Sequence, residues 1–272
     1  MKIQCKNTKR YDKAFEKTKF LIREGQPVLV YVDMPYLQYL NLDEDNHFGG
    51  HAIVIFGFDD EKRKFYVSDR DNSDYSIRTP KGLISEDFHL VDYQQIEKAR
   101  SSNYRPFPAN NKWLEFDFES IQPITAEIII EAVKETCDTM LNPPAKLLGV
   151  NGINKFSKEV LKWSKFESYK VKLAGITNYF MISADGGTGG GAFRYMYGQF
   201  LLEACENFGI SDYKFAGEQY IQISEKWEEI AELLWKLYET GEADIFKTIS
   251  LIAKDICSAE TSILNYLSKV KI

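Results

Sequence analysis

Apolar positions along the chain change period near its middle. In the first part they fall in short unbroken blocks. VLVYV (28–32) and HAIVIFGF (51–58) are continuous apolar runs of the kind buried strands show. The polar stretch Asp59-Asp60-Glu61-Lys62 separates the second run from KFYVSD (64–69), so these two segments predict a hairpin. Residues 8–24 instead repeat at helical spacing, with Tyr11, Phe15, Thr18 and Leu21/Ile22 on one face and Gly25 as the stop. MPYLQYL (34–40) predicts a short helical turn. Residues 70–83, rich in Asp, Asn, Ser, Pro and Gly, predict a loop, and 84–99 a helix capped by Ser85.

From Ile124 onward the period is helical. The predicted helices are 124–141, 155–166, 191–208, 216–239 and 243–269, separated by Pro143-Pro144, Gly186–Gly191, Gly209 and Gly241. Between the two patterns, residues 101–120 carry Pro106, Pro108 and paired Asn ahead of an alternating WLEFDF strand, and the domain junction is placed there. The expected fold class is α+β: an antiparallel-sheet domain over 1–105 followed by a mostly α-helical domain over 106–272.

Composition narrows the function classes. The chain has 272 residues and is 44% hydrophobic, enough to bury a sizeable core. A net charge of −6 argues against a general nucleic-acid binder, which needs a basic footprint. No run approaches the ~18 apolar residues of a membrane span, and MKIQCKNTKRYDK lacks the apolar core of a secretory signal. Cys5, Cys137, Cys205 and Cys257 are scattered with no CxxC pair, so reduced thiols of a cytoplasmic protein are expected. No cofactor, metal site, nucleic acid or membrane is expected. A homo-oligomer stays an open expectation.

Candidate chemistry centres on His51. Gly49-Gly50 precede it where a loop enters an apolar strand, and two glycines without Cβ would leave room for close approach. Asp69 ends the paired strand of the predicted hairpin, which brings it toward His51. An Asp there could accept the imidazole Nδ1–H and leave Nε2 as base, as nucleophilic catalysis requires. A purely structural histidine–carboxylate pair fits the spacing equally well, and Asp71 in SDRD competes as partner. Tyr36 and Tyr39 could line the cleft or simply pack. His47, in DEDNHF, and His89, expected on a solvent-facing helix, carry weaker signals.

The segment FGGHAIVIFGFDDEKRKFYVSDRD, with the preceding QPVLVYVDMPYLQYL, resembles the N-terminal domain of the butirosin-biosynthesis H-protein family, itself similar to the papain-like, bacteriocin-processing C39 peptidases. ADGGTGGGAFRYMYGQFLLEA resembles the signature of the domain that usually follows it. The resemblance implies a papain-like first domain and acyl transfer from an acyl carrier protein to an amine acceptor. A cysteine thiolate would take the acyl group from the carrier's phosphopantetheine thioester, and His51, oriented by Asp69, would be the general base for the attacking amine. The family's nucleophile opens a helix in a further N-terminal stretch, and this sequence is expected to begin at or after the end of it. Cys5 leads into the wrong element for that role, while Cys137, Cys205 and Cys257 fall among apolar neighbours in predicted helices. Besides acyl transfer, a cysteine peptidase or amidase and a binding protein without a nucleophile are the alternative expectations.

Two further features lie in the second half. Asp185 to Gly191 is a glycine-rich loop feeding a helix. Its backbone N–H groups at Gly189 and Gly190, with Arg194 in the first turn, could hold a phosphate or carboxylate. A hinge or a close packing device is the equal alternative. Lys155, Lys158, Lys162 and Lys165 share one helical face, which is either a solvated surface or a landing site for an acidic partner such as the carrier protein.

Overall fold

A computed structural model describes residues 2–40, 42, 44–45, 47–69, 88–117, 123–242 and 244–271. These fall into two compact units, one ending in the described residues at 117 and the other starting at Pro123. The first is an antiparallel sheet with two helices and the second is helical, so the chain is α+β.

The sheet unit contains β1 (Lys2–Lys6), α1 (Tyr11–Arg23), β2 (Val28–Val32), β3 (His51–Asp59), β4 (Lys64–Ser68), β5 (His89–Asp92), α2 (Tyr93–Ser101) and β6 (Trp113–Asp117). Its six strands lie in the order β1-β6-β2-β3-β4-β5, and neighbours are antiparallel. One face is covered: Val28, Val30, Val32, Ile53, Ile55, Phe65, Val67 and Val91 form a buried cluster with Ala14 and Leu21 of α1 and Ile96 and Ala99 of α2. The alternate residues of β2 are half-buried, and Ala52 and Phe56 of β3 and Leu90 of β5 are exposed. The apolar runs are therefore central strands, as expected, with one face more deeply buried than the other.

Three expectations change here. The junction near 105 moves toward the helical unit, because β6 hydrogen-bonds both β1 and β2 and so belongs to the sheet. The helix expected over 84–99 begins only at Tyr93. His89–Asp92 is a strand instead, since its backbone pairs with the otherwise open edge of β4 from Val67 to Lys64. The edge strand β1 was not foreseen: KIQCK is short, with only Ile3 and Cys5 apolar and both exposed, and it forms because β6 offers it a full register. Ser85, Asp71 and the loop expected over 70–83 lie outside the described residues.

The helical unit comprises α3 (Ala126–Leu141), α4 (Gly149–Glu159), α5 (Ser168–Ile182), α6 (Arg194–Phe208), α7 (Asp212–Thr240) and α8 (Ile245–Leu267). Helix α7 is its axis. Tyr213, Ala216, Tyr220, Ile223, Trp227, Ile230, Leu234 and Leu237 recur every three or four positions and are all buried. They meet Ile249, Ala253, Ile256 and Leu264 of α8 and Leu201 of α6 in one core. Helix α5 went unrecognised because its apolar residues have no single face. Over 155–166 the expected helix is the end of α4 followed by a 3₁₀ turn, Val160–Lys165. Among the described residues no helix is long and apolar enough to cross a membrane.

Candidate active site

Antiparallel pairing gathers the chemistry at one end of the sheet. Strand β2 ends there at Val32, opposite His51, where β3 begins. Strand β4 ends there too: Ser68 pairs with Val54, which sets Asp69 diagonally across from His51. The two side chains meet. His51 Nε2 stands 2.9 Å from Oδ1 and 2.8 Å from Oδ2 of Asp69. The Asp69 side chain is only 4% exposed, while that of His51 keeps 22%.

The geometry inverts the expected tautomer. Asp69 faces Nε2, so Nε2 carries the proton and donates it, and Nδ1 is the nitrogen left to accept one. The reason is reach. Nδ1 sits next to the residue's own Cβ and backbone, whereas a carboxylate diagonally across on the neighbouring strand is met by the far side of the ring. Nδ1 has no hydrogen-bond partner among the described residues.

Tyr39 is part of this arrangement rather than a cleft wall. Its hydroxyl donates to Asp69 Oδ2 at 2.7 Å. Burial pushes its pKa far above the usual phenol range, and the adjacent Asp69 carboxylate adds to the shift, so it stays a donor. Its ring stacks on His89, with centroids 3.9 Å apart and planes at 6°. His89 is therefore a half-buried strand residue, not the solvent-facing helical one expected.

The space beside the two glycines is already taken. A Cβ on Gly49 would come within 2.5 Å of Phe107 O and Ala109 N, so its missing side chain admits the chain's own 107–109 backbone. Gly50 faces the Phe48 ring, 2.9 Å from where its Cβ would lie. Neither glycine opens a path to His51 as expected. Tyr36 sits apart, near His47. The pair of His47 with Asp33, at the same sheet end, was missed altogether; its one signal is a lone acidic residue directly after the apolar run VLVYV.

Cys5 does not reach the dyad. It pairs with Leu114, Leu114 with Leu29, and Leu29 with Val54, three residues past His51. Three strand spacings of about 4.8 Å and three residues of about 3.3 Å put it about 17 Å away. In the helical unit Cys137 is fully buried and its thiol is pushed up to about 11 by that burial. Cys257 is also raised, chiefly by burial, and donates to Val150 O at 3.3 Å. Neither has the lowered pKa of a nucleophilic thiol.

The glycine loop of the helical unit is closed from within. Glu228 Oε1 accepts Gly191 N–H at 2.6 Å and Ala184 N–H at 3.0 Å, so a side-chain carboxylate already fills the anion's place. Gly190 N–H goes to Thr188 Oγ1 at 3.2 Å. Arg194 is engaged too. Its Nε and Nη2 grip Glu260 at 2.9 and 3.1 Å, and Nη1 donates to Ala192 O at 2.8 Å. Of the anion contacts expected of Gly189, Gly190 and Arg194, that of Arg194 goes to an internal carboxylate of α8, 66 positions along the chain, and that of Gly190 to the Thr188 hydroxyl, while the α7 carboxylate takes the neighbouring Gly191 amide, 37 positions away.

Comparison with known proteins agrees with this architecture. Residues 1–70 match the family described as butirosin biosynthesis protein H, N-terminal. Residues 94–267 match a domain of unknown function, DUF4872. None of the curated proteins searched matches the chain. The first match spans β1 to Asp69 and so contains the whole dyad; the second runs from α2 to the end of α8. With this N-terminal domain followed by DUF4872, the chain belongs to the butirosin biosynthesis protein H family.

Proposed function

We propose that the sheet unit carries the base half of a thiol-type acyltransferase site, in which His51 activates an amine against an acyl thioester. One observation carries the reading: a buried, doubly hydrogen-bonded Asp69 holds His51 by Nε2 and leaves Nδ1 as the open acceptor. A histidine so fixed takes the proton of a cysteine thiol as it attacks the thioester, returns it to the departing carrier thiol, then takes a proton as the amine attacks the acyl-enzyme, each imidazolium being stabilised against the carboxylate. Family membership supports the setting, through its link by name to butirosin biosynthesis. The acyl donor is a carrier protein bearing a phosphopantetheine thioester. Lys155, Lys158, Lys162 and Lys165 are all exposed and suit an acidic carrier, although Lys162 also pairs with Glu159 at 2.7 Å. All four cysteines are unpaired, which suits the reducing cytoplasm.

A second reading, a binding protein without a nucleophile, draws support from the distance between Cys5 and the dyad. Intact-mass analysis after incubation with an acyl thioester separates the two. Covalent acyl transfer gives a gain of one acyl mass on a cysteine, lost with His51→Phe. A chain that binds the thioester with no adduct in a single turnover supports the binding reading and refutes acyl transfer through this chain's own thiols. An adduct that persists in His51→Phe refutes the role of the dyad.

A further inference from the structure

A second histidine–carboxylate pair stands at the same end of the sheet, outside the proposed acyl-transfer site. Asp33 directly follows β2 and is completely buried. Its Oδ1 accepts Phe48 N–H at 2.7 Å. Its Oδ2 accepts the Ser102 hydroxyl and, at 2.8 Å, His47 Nδ1–H. A buried carboxylate persists only with such donors, and here they fix His47 as the Nδ1–H tautomer with Nε2 as acceptor. Nε2 has no hydrogen-bond partner among the described residues.

His47 lines a cavity of about 680 Å³, within the range of small-molecule sites, together with Tyr36, Tyr104, Glu44, Asp45 and Lys98. The His47 ring lies flat on Tyr104, centroids 3.4 Å apart and planes at 8°, and Tyr36 stands 5.9 Å off. Glu44, Asp45 and the underlying Asp33 set three negative charges against Lys98. Burial, then Tyr104, Asp33 and Glu44, raises the pKa of Tyr36, which keeps it a neutral phenol. Aromatic faces with an excess of carboxylates favour a cation.

We propose that this cavity binds a small organic ammonium ion, which donates an N–H to His47 Nε2 beside Tyr36 and Tyr104. Proton handover is open to it: the ammonium N–H bond breaks, an Nε2–H bond forms, and a neutral amine faces an imidazolium held by Asp33. The inference does not rest on acyl transfer, since binding needs no thioester.

Calorimetry on the full chain with three probes, no acyl donor present, tests it. 1,4-Diaminobutane offers charge and N–H donors, tetramethylammonium charge alone, and 1,4-butanediol neither charge nor an N–H. The diamine binds at least about tenfold tighter than tetramethylammonium, and the diol gives no heat. His47→Phe keeps a ring against Tyr104 and abolishes that preference. Glu44→Gln, on an exposed side chain, weakens both cations. Failure of the wild type to bind the diamine, failure to discriminate the two cations, or a preference that survives His47→Phe overturns the proposal.

Discussion

Replacing Glu260 by alanine tests whether Arg194 is a structural residue or a ligand-binding one. Glu260 is completely buried and Arg194 keeps 22% of its side-chain exposure. The carboxylate takes two guanidinium contacts, at 2.9 and 3.1 Å, and Trp227 Nε1–H at 3.3 Å. Removing one member of a buried pair costs about 3–5 kcal/mol, because the other charge is left uncompensated. Arg194 retains its bond to Ala192 O and part of its exposure, so the low end applies. The orphaned indole N–H adds about 1 kcal/mol. Glu260→Ala is thus expected to destabilise by about 4 kcal/mol, and Glu260→Gln, which keeps a neutral acceptor, by about 2 kcal/mol. Urea unfolding followed by tryptophan fluorescence reads both. A loss below about 1 kcal/mol in each variant would refute the reasoning. So would full recovery of Glu260→Gln in millimolar phosphate together with phosphate binding by the wild type, since Arg194 would then be an anion site that Glu260 merely guards.

Other outcomes follow from the same geometry. Gly191 has φ +54°, and a Cβ there would lie 2.5 Å from Ser224 Cα and O, so Gly191→Ala is expected to lose more than about 2 kcal/mol in the same urea assay. The Cys137 thiol titrates near 11 when folded against 9.0 ordinarily. Between those pH values the folded chain keeps a proton that the unfolded chain has lost, so stability present below pH 9 declines as pH rises toward 11, and Cys137→Ala flattens the decline. Lys162→Glu with Lys165→Glu is expected to slow association with an acidic carrier protein more at low than at high salt in stopped-flow measurements; rates that stay equal to wild type refute the landing site.

Sequence patterns reveal local geometry better than partners far away in the chain. VLVYV and HAIVIFGF read as strands because short continuous apolar runs favour them, although only the alternate residues Val28, Val30, Val32, Ile53 and Ile55 enter the core. Helices α6, α7 and α8 were legible from their spacing and the glycines that follow α6 and α7. The His51–Asp69 pair was legible because a hairpin of fixed register joins its members. Its tautomer was not, since that depends on which side of the ring meets the neighbouring strand. Strand β5 was hidden because His89-Leu90-Val91-Asp92 is short and draws its order from the β4 edge. The closure of the glycine loop by Glu228 and of Arg194 by Glu260 depends on helices packing across the core, which no local pattern encodes. His47 carried a weak signal of its own, but its pairing with Asp33 was hidden for a like reason: their meeting requires the turn at 34–40 to fold back on the strand end.

The orientation of His51 carries the functional account, and nitrogen-15 NMR of the histidine side chains tests it most directly. At a pH where the ring is neutral, the account expects Nε2 to carry the proton and Nδ1 to show the shift of an unprotonated acceptor. Asp69→Asn is expected to release that fixed tautomer. A protonated Nδ1 in the wild type, or a tautomer indifferent to Asp69→Asn, would contradict it.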